Sequence, residues 1–143
     1  MTREDPFGLQ RFVRAQDEGG TYARAVAELR RGSKVSHWMW FVFPQIAGLG
    51  QSAISARYAI SSLAEARAYL DHPVLGPRLS ECVGVVAALT GRTAEQIFGS
   101  VDSLKLRSCM TLFLHANPEA EVFREVLGHY FDGVPDPVTE RLI

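Results

Sequence analysis

Lysine is the scarcest charged residue of this chain: of 15 Lys and Arg in 143 residues, only Lys34 and Lys105 are lysines. Set against 16 Asp and Glu, the basic side chains leave a formal charge of −1. No general positive field exists to draw nucleic acid or an anionic membrane, so neither is expected as a partner. Also absent is any apolar run of about 18 residues, which excludes a transmembrane helix. The opening MTREDPF carries charges of both signs and lacks the apolar core of a signal peptide, which predicts a cytoplasmic protein. Cysteine is sparse too. Cys82 and Cys109 each lie in an apolar stretch and are expected to be reduced, small core residues. Signatures of phosphate-binding loops, dinucleotide sites, zinc proteases and serine hydrolases do not occur. The four histidines at 37, 72, 115 and 129 have no ligand spacing among themselves or with the cysteines. No metal and no resident cofactor are expected.

What remains is an average globular composition, 47% hydrophobic and 22% charged, in a length that supports one domain over residues 1–143. Periodicity predicts a compact all-α fold of about six to eight helices. Asp5 with Pro6 opens the first, carrying Leu9, Phe12 and Val13, and Gly19-Gly20 stops it. Thr21 is expected to cap the second, with Tyr22, Val26 and Leu29 on one face and Gly32 at its end. The basic trio Arg30, Arg31 and Lys34 falls at that end and complements the helix dipole. The run SHWMWFVFPQ, residues 36–45, fits a short buried helix. Residues 46–61 read as a loop with at most one helical turn, the kind of irregular segment that carries function.

Ser62 with Glu65 has the capping-box pattern and opens a helix to Leu70. Leu75, Leu79, Val83 and Val86 mark the next, and Thr93 with Gln96 a short one ending near Gly99. Asp102 is expected to cap LKLRSCMTLFLHA, the most buried helix. Asn117-Pro118 opens another with Phe123, Val126, Leu127 and Tyr130, and Asp136-Pro137 a last turn or two.

Two segments carry polar groups that an apolar core does not need. In HWMWFVFPQ, His37 and Gln45 bracket Trp38, Trp40, Phe41 and Phe43, and Gln45 leads into a loop with Ser52, Ser55 and Tyr58. Rings with polar ends either fill a core or line a small-molecule pocket. In DSLKLRSC, Asp102, Lys105, Ser108 and Cys109 share one helix face. The alternative for Asp102 and Lys105 is a helix cap and a solvated cation.

These residues also resemble a known family. SHWMWFVFPQ, the spaced Ser52, Ser55 and Tyr58, the stretch EARAYLDHPVLGPRL, and Asp102, Lys105 and Ser108 together look like the family catalogued as domain of unknown function 1810. Its members are often labelled calpastatin, a disordered inhibitor unlike this folded, aromatic-rich chain. The resemblance spans Phe7 to the end and implies a compact helical fold of bacterial and fungal cytoplasm. It implies no activity. The segment FREVLGHYFDG is similar to the C-terminal half of the helical NADAR superfamily, which implies ADP-ribose or NAD metabolism and N-glycosidase chemistry.

The sequence therefore predicts a pocket for a nucleotide-like or anionic small molecule. Trp38, Trp40, Gln45, Ser52, Ser55, Tyr58 and Ser108 are the candidate binding residues. His37, Asp102 and Lys105 are the catalytic candidates, should the protein be a hydrolase. The rival expectation is a non-enzymatic interaction module or homodimer, with the aromatic run buried against a partner.

Overall fold

The structure is a computed structural model that describes residues 5–143. The chain runs through α1 (Gln10–Asp17), a 3-10 turn at Glu18–Gly20, α2 (Thr21–Arg30), α3 (Met39–Val42), α4 (Ala53–Arg57) and α5 (Leu63–Asp71). It continues through α6 (Leu75–Ala88), α7 (Ala94–Phe98), α8 (Ser100–Ala116), α9 (Glu121–Phe131) and α10 (Pro137–Leu142). The fold is all-α, with no strand among the described residues. Helices α1, α2, α5, α6, α8 and α9 are eight residues or longer and carry the architecture. None of the described helices is long and apolar enough to cross a membrane.

Helix α8 is the centre of the fold. It buries nine residues, more than any other described helix, because α5, α7, α9 and α10 all pack on it. A helix enclosed this way must be apolar on several faces, which is why its sequence shows little amphipathic pattern. Around it the rings interlock at 5–6 Å: Phe12 stands edge-on to Tyr69 at 5.2 Å, Tyr69 lies 5.3 Å from Phe113, and Phe113 lies 6.0 Å from Phe123. Such pairs add to the burial energy of the rings themselves. Cys82 and Cys109 are buried free thiols, and burial pushes both up, Cys82 to about 12.

Helices α5 and α6 meet so closely at their junction that a Cβ built on Gly76 would lie 2.1 Å from the Leu70 carbonyl oxygen. A backbone atom cannot swing aside as a flexible side chain can. Gly76→Ala should therefore cost about 2–3 kcal/mol in denaturant unfolding, with the helix content kept in the folded state.

Several helix ends differ from the expected ones. Asp5 does cap, accepting from the Leu9 and Gln10 amides, but regular helix starts only at Gln10. Gly20, left-handed at φ 70°, precedes α2, and Thr21 instead donates to the Glu18 carbonyl. Ser62 accepts from the Glu65 amide, yet the Glu65 carboxylate turns to Ser61 and Arg11, so the box is half-closed. Helix α9 starts at Glu121, three residues beyond Pro118. Asp102 is not the cap of α8: Gly99, at φ 83°, joins α7 to α8 directly and puts Asp102 in the first turn. The capping box of Thr93 and Gln96 is complete, and α4 is the single turn expected in the loop.

Candidate functional site

The aromatic run cannot extend as a helix because Pro44 follows it, so it folds into the one turn of α3. Residues two apart on a helical turn point about 200° apart. Trp38, just before α3, therefore enters the core with Met39, Val42 and Phe43, while Trp40 stays half-buried on the other side. The Trp38 ring is fully buried and its Nε1 donates to Glu28 Oε1 at 3.0 Å. Beyond Pro44 the neck of the loop is closed by two backbone bonds, Ala47 N to Ile60 O and Ile60 N to Gln45 O, both 2.8 Å. They fix the Gln45 backbone and so aim its side chain.

Two adjoining cavities open on either side of Trp40. The first, of about 200 Å³, lies over the loop and is lined by Trp40, Gln45, Leu49, Gly50, Ser55 and Tyr58 among others. The second, of about 250 Å³, reaches Lys105, Ser108, Val101 and Leu104 on α8, and Asp136 and Val138 at α10. Trp40, Gln45, Leu49 and Gly50 line both, making one two-lobed groove. Gly50 is required there, since a Cβ on it would meet Ser55 Cβ at 2.5 Å and Trp40 at 3.3 Å.

The groove's charge comes from a clamp. Asp102 receives Lys34 Nζ at 2.9 Å on one oxygen and Lys105 Nζ at 3.0 Å on the other. Each ammonium also lies over an indole, Lys34 at 5.0 Å from the Trp38 ring and Lys105 at 4.1 Å from Trp40. Burial pushes the Asp102 carboxyl up, but the two lysines outweigh it and hold it below the usual carboxylate range. Both lysines of the chain thus meet at one carboxylate, each beside a tryptophan, and Asp136 adds a second carboxylate to the second lobe.

Gln45 is the second distinctive group. It is 7% exposed, and its buried Nε2 has no hydrogen-bond partner. Gln16 shows what this interior provides elsewhere: its Nε2 donates to Phe41 O and Tyr69 Oη, and its Oε1 accepts from Arg78. A buried amide left unpaired costs about 1–3 kcal/mol.

The remaining candidates divide. Ser55 and Tyr58 are buried and line the first lobe. Ser108 lines the second, its Oγ 2.8 Å from Thr139 Oγ1. Ser52 is exposed and serves as the N-cap of α4. His37 is exposed, hydrogen-bonds to no described residue and lines neither lobe. Trp38 is sealed away from both. The candidate list left out Lys34, absorbed into a helix-end argument, Asp136, read as the start of the last helix, and Val101, Leu104 and Val138, which carried no signal beyond apolar residues on an exposed face. Among the described residues no group of three or more His, Cys, Asp or Glu could hold a metal ion.

Fold and site together define a small all-α domain with a groove beside Trp40, bordered by a lysine–aspartate–lysine clamp through Lys105. The chain belongs to the family described as protein of unknown function DUF1810, whose model matches residues 6–143. Among solved structures it is similar to the conserved hypothetical protein Rv1873 from Mycobacterium tuberculosis, at 52% identity over 97% of this chain and 98% of that one, with a TM-score of 0.94. No curated protein matches it.

Proposed function

We propose that this protein binds a small, ring-bearing organic anion in the two-lobed groove. The observation that carries the reading is Gln45, a buried donor with no partner, standing in the same groove as an ammonium. A ligand acceptor on Gln45 Nε2 and an anionic group on Lys105 would satisfy both, with the free face of Trp40 and the side chains of Val101 and Leu104 against its body. The volume suits a mononucleotide or smaller; a dinucleotide would leave part of itself outside.

Binding is favoured over catalysis. Asp102 has both oxygens on ammonium groups and stays ionised, whereas a general acid works best with a pKa near the operating pH. The N-glycosidase version, acting on ADP-ribose or a nucleotide, belongs to the same proposal as its catalytic extension. So does a cytoplasmic location, which suits the two free thiols.

The test is a thermal-shift screen against mononucleotides, ADP-ribose, NAD and aromatic carboxylates, with released base measured in the same samples. Gln45→Leu should keep or raise stability, by up to about 1 kcal/mol, because it removes the unpaired amide. Together with Lys105→Ala it should abolish the shift that a ligand gives the native protein. Equal shifts in native protein and both variants would place the site elsewhere. The second reading, a homodimer, rests on the exposure of Val101 and Leu104, 66% and 61%, at the groove rim. A native dimer that Leu104→Asp dissociates, with no ligand response, would put it in place of the first.

A further inference from the structure

A different concavity, of about 410 Å³, lies between α1 and the end of α4 and is lined by Gly8, Gln10, Arg11, Arg14, Glu18, Arg57 and Tyr58 among others. Three arginines line it with one acid, Glu18. We infer that this basin is a second binding site, for a small molecule carrying a phosphoryl or pyrophosphoryl group.

The three arginines have different tasks. Arg11 is committed to the protein through five bonds: Nε to Arg57 O, Nη1 to the Phe7 and Gly8 carbonyls, and Nη2 to Ala59 O and Glu65 Oε2, all within 2.7–2.9 Å. A guanidinium has five N–H donors. Arg11 therefore has none left for a ligand, but it ties α1 to residues 57–59 and holds the basin in shape. Its charge is balanced by Glu65, which is itself used up by Ser61.

Arg14 and Arg57 form no ion pair or side-chain hydrogen bond with the described residues, so their donors are available. Arg57 is held with its guanidinium 5.5 Å from the Tyr58 ring centre. Of the neighbouring acids, both Asp5 oxygens are taken by the Leu9 and Gln10 amides and Asp17 is paired with Arg78 at 2.7 Å, which leaves Glu18 as the one competing carboxylate in the basin, against two arginines. The helix-dipole explanation suits Arg57 poorly, because α4 is only five residues long. Two planar forks, both exposed on the basin's lining, suit a tetrahedral oxyanion, which takes two bidentate contacts; a monocarboxylate has oxygens for one. The basin is several times larger than a phosphate ion, so the phosphoryl group comes with a body. Tyr58 and Ala15 offer it a wall and Gln10 an amide. Tyr58 also lines the first lobe of the groove, so one side chain separates the two sites.

This site stands independently of the groove, and the experiment separates them. Pyrophosphate, inorganic phosphate and citrate are titrated calorimetrically into the native protein at fixed ionic strength, and into three variants. Arg14→Gln/Arg57→Gln removes the available forks. Arg31→Gln/Arg67→Gln removes the same charge from exposed arginines that do not line the basin, and Lys105→Ala tests the groove. Saturable binding of pyrophosphate, tighter than citrate, is expected. The basin variant should weaken it by at least about tenfold, while the control pair and Lys105→Ala stay within about twofold of native. No saturable pyrophosphate binding to the native protein would overturn the inference. So would equal weakening in the control pair, a preference for citrate, or loss in Lys105→Ala with the basin variant unaffected.

Discussion

Trp38→Ala should destabilise the protein by about 3–5 kcal/mol in denaturant titration, close to the whole stability of many small domains. The indole is fully buried against Phe43 at 6.1 Å, and its removal also strips one of four donors from Glu28. Trp40→Ala, two residues along, should cost only about 1–2 kcal/mol, since the ring is half-buried beside an open groove and part of the space it leaves can fill with water. The comparison checks the assignment of one tryptophan to the core and the other to the groove. Equal losses would refute it.

The second large effect belongs to Glu28, a carboxylate 2% exposed that accepts from Val35 N, Ser36 N, Ser36 Oγ and Trp38 Nε1 at 2.6–3.0 Å. Burial pushes its pKa up, but the bonds from Ser36, Val35 and Trp38 outweigh this and hold it at about 2, against an ordinary 4.5. A carboxyl whose pKa is lower folded than unfolded stabilises the native state above its unfolded pKa, and loses that contribution as pH falls toward the folded value. Glu28 should thus contribute on the order of 3 kcal/mol at neutral pH, lost between about pH 4.5 and 2. Glu28→Leu should flatten that part of the stability profile and cost about 3 kcal/mol or more at pH 7, because four donors lose their acceptor. Unfolding free energies measured from pH 2 to 7 on both proteins decide it; an unchanged acid limb in the variant would remove Glu28 from this role.

Neither tryptophan assignment was legible in the sequence. The phase of a four-residue helix is set by what packs on it, and HWMWFVFPQ has rings on every face. Glu28 gave no warning either, since a glutamate in an amphipathic helix reads as solvated until the chain at Ser36 folds back over it. Helices α5, α6 and α7 were readable because their signals are local: Ser62 capping α5, the spacing of Leu75 to Val86 in α6, the complete box at Thr93 before α7. The start of α8 was not, because one left-handed glycine sufficed where a loop was expected. Of the site, the three participating segments and Lys105 could be found, since a rare lysine on an apolar face is a conspicuous departure. Its partner Lys34 could not, because it arrives from the far end of α2, and only the tertiary fold brings it to Asp102. His37 was singled out by its place beside the aromatic run and Ser52 by its spacing from Ser55 and Tyr58, and position along the chain does not say which way a side chain points.

The meeting of both lysines at Asp102 also has a chemical consequence for the rest of the surface. Outside that clamp, the 13 other Lys and Arg positions are all guanidinium groups, which resist acyl donors. Enzymes and reagents that modify side-chain amines, including acetyltransferases, ubiquitin ligases and lysine-specific proteases, find just two addresses on this chain. Lys34 is 7% exposed and Lys105 19%. A modification reported at either would mean that the clamp had opened, and an acetyl group on Lys105 would switch off the groove's charge while leaving the arginine basin as it was.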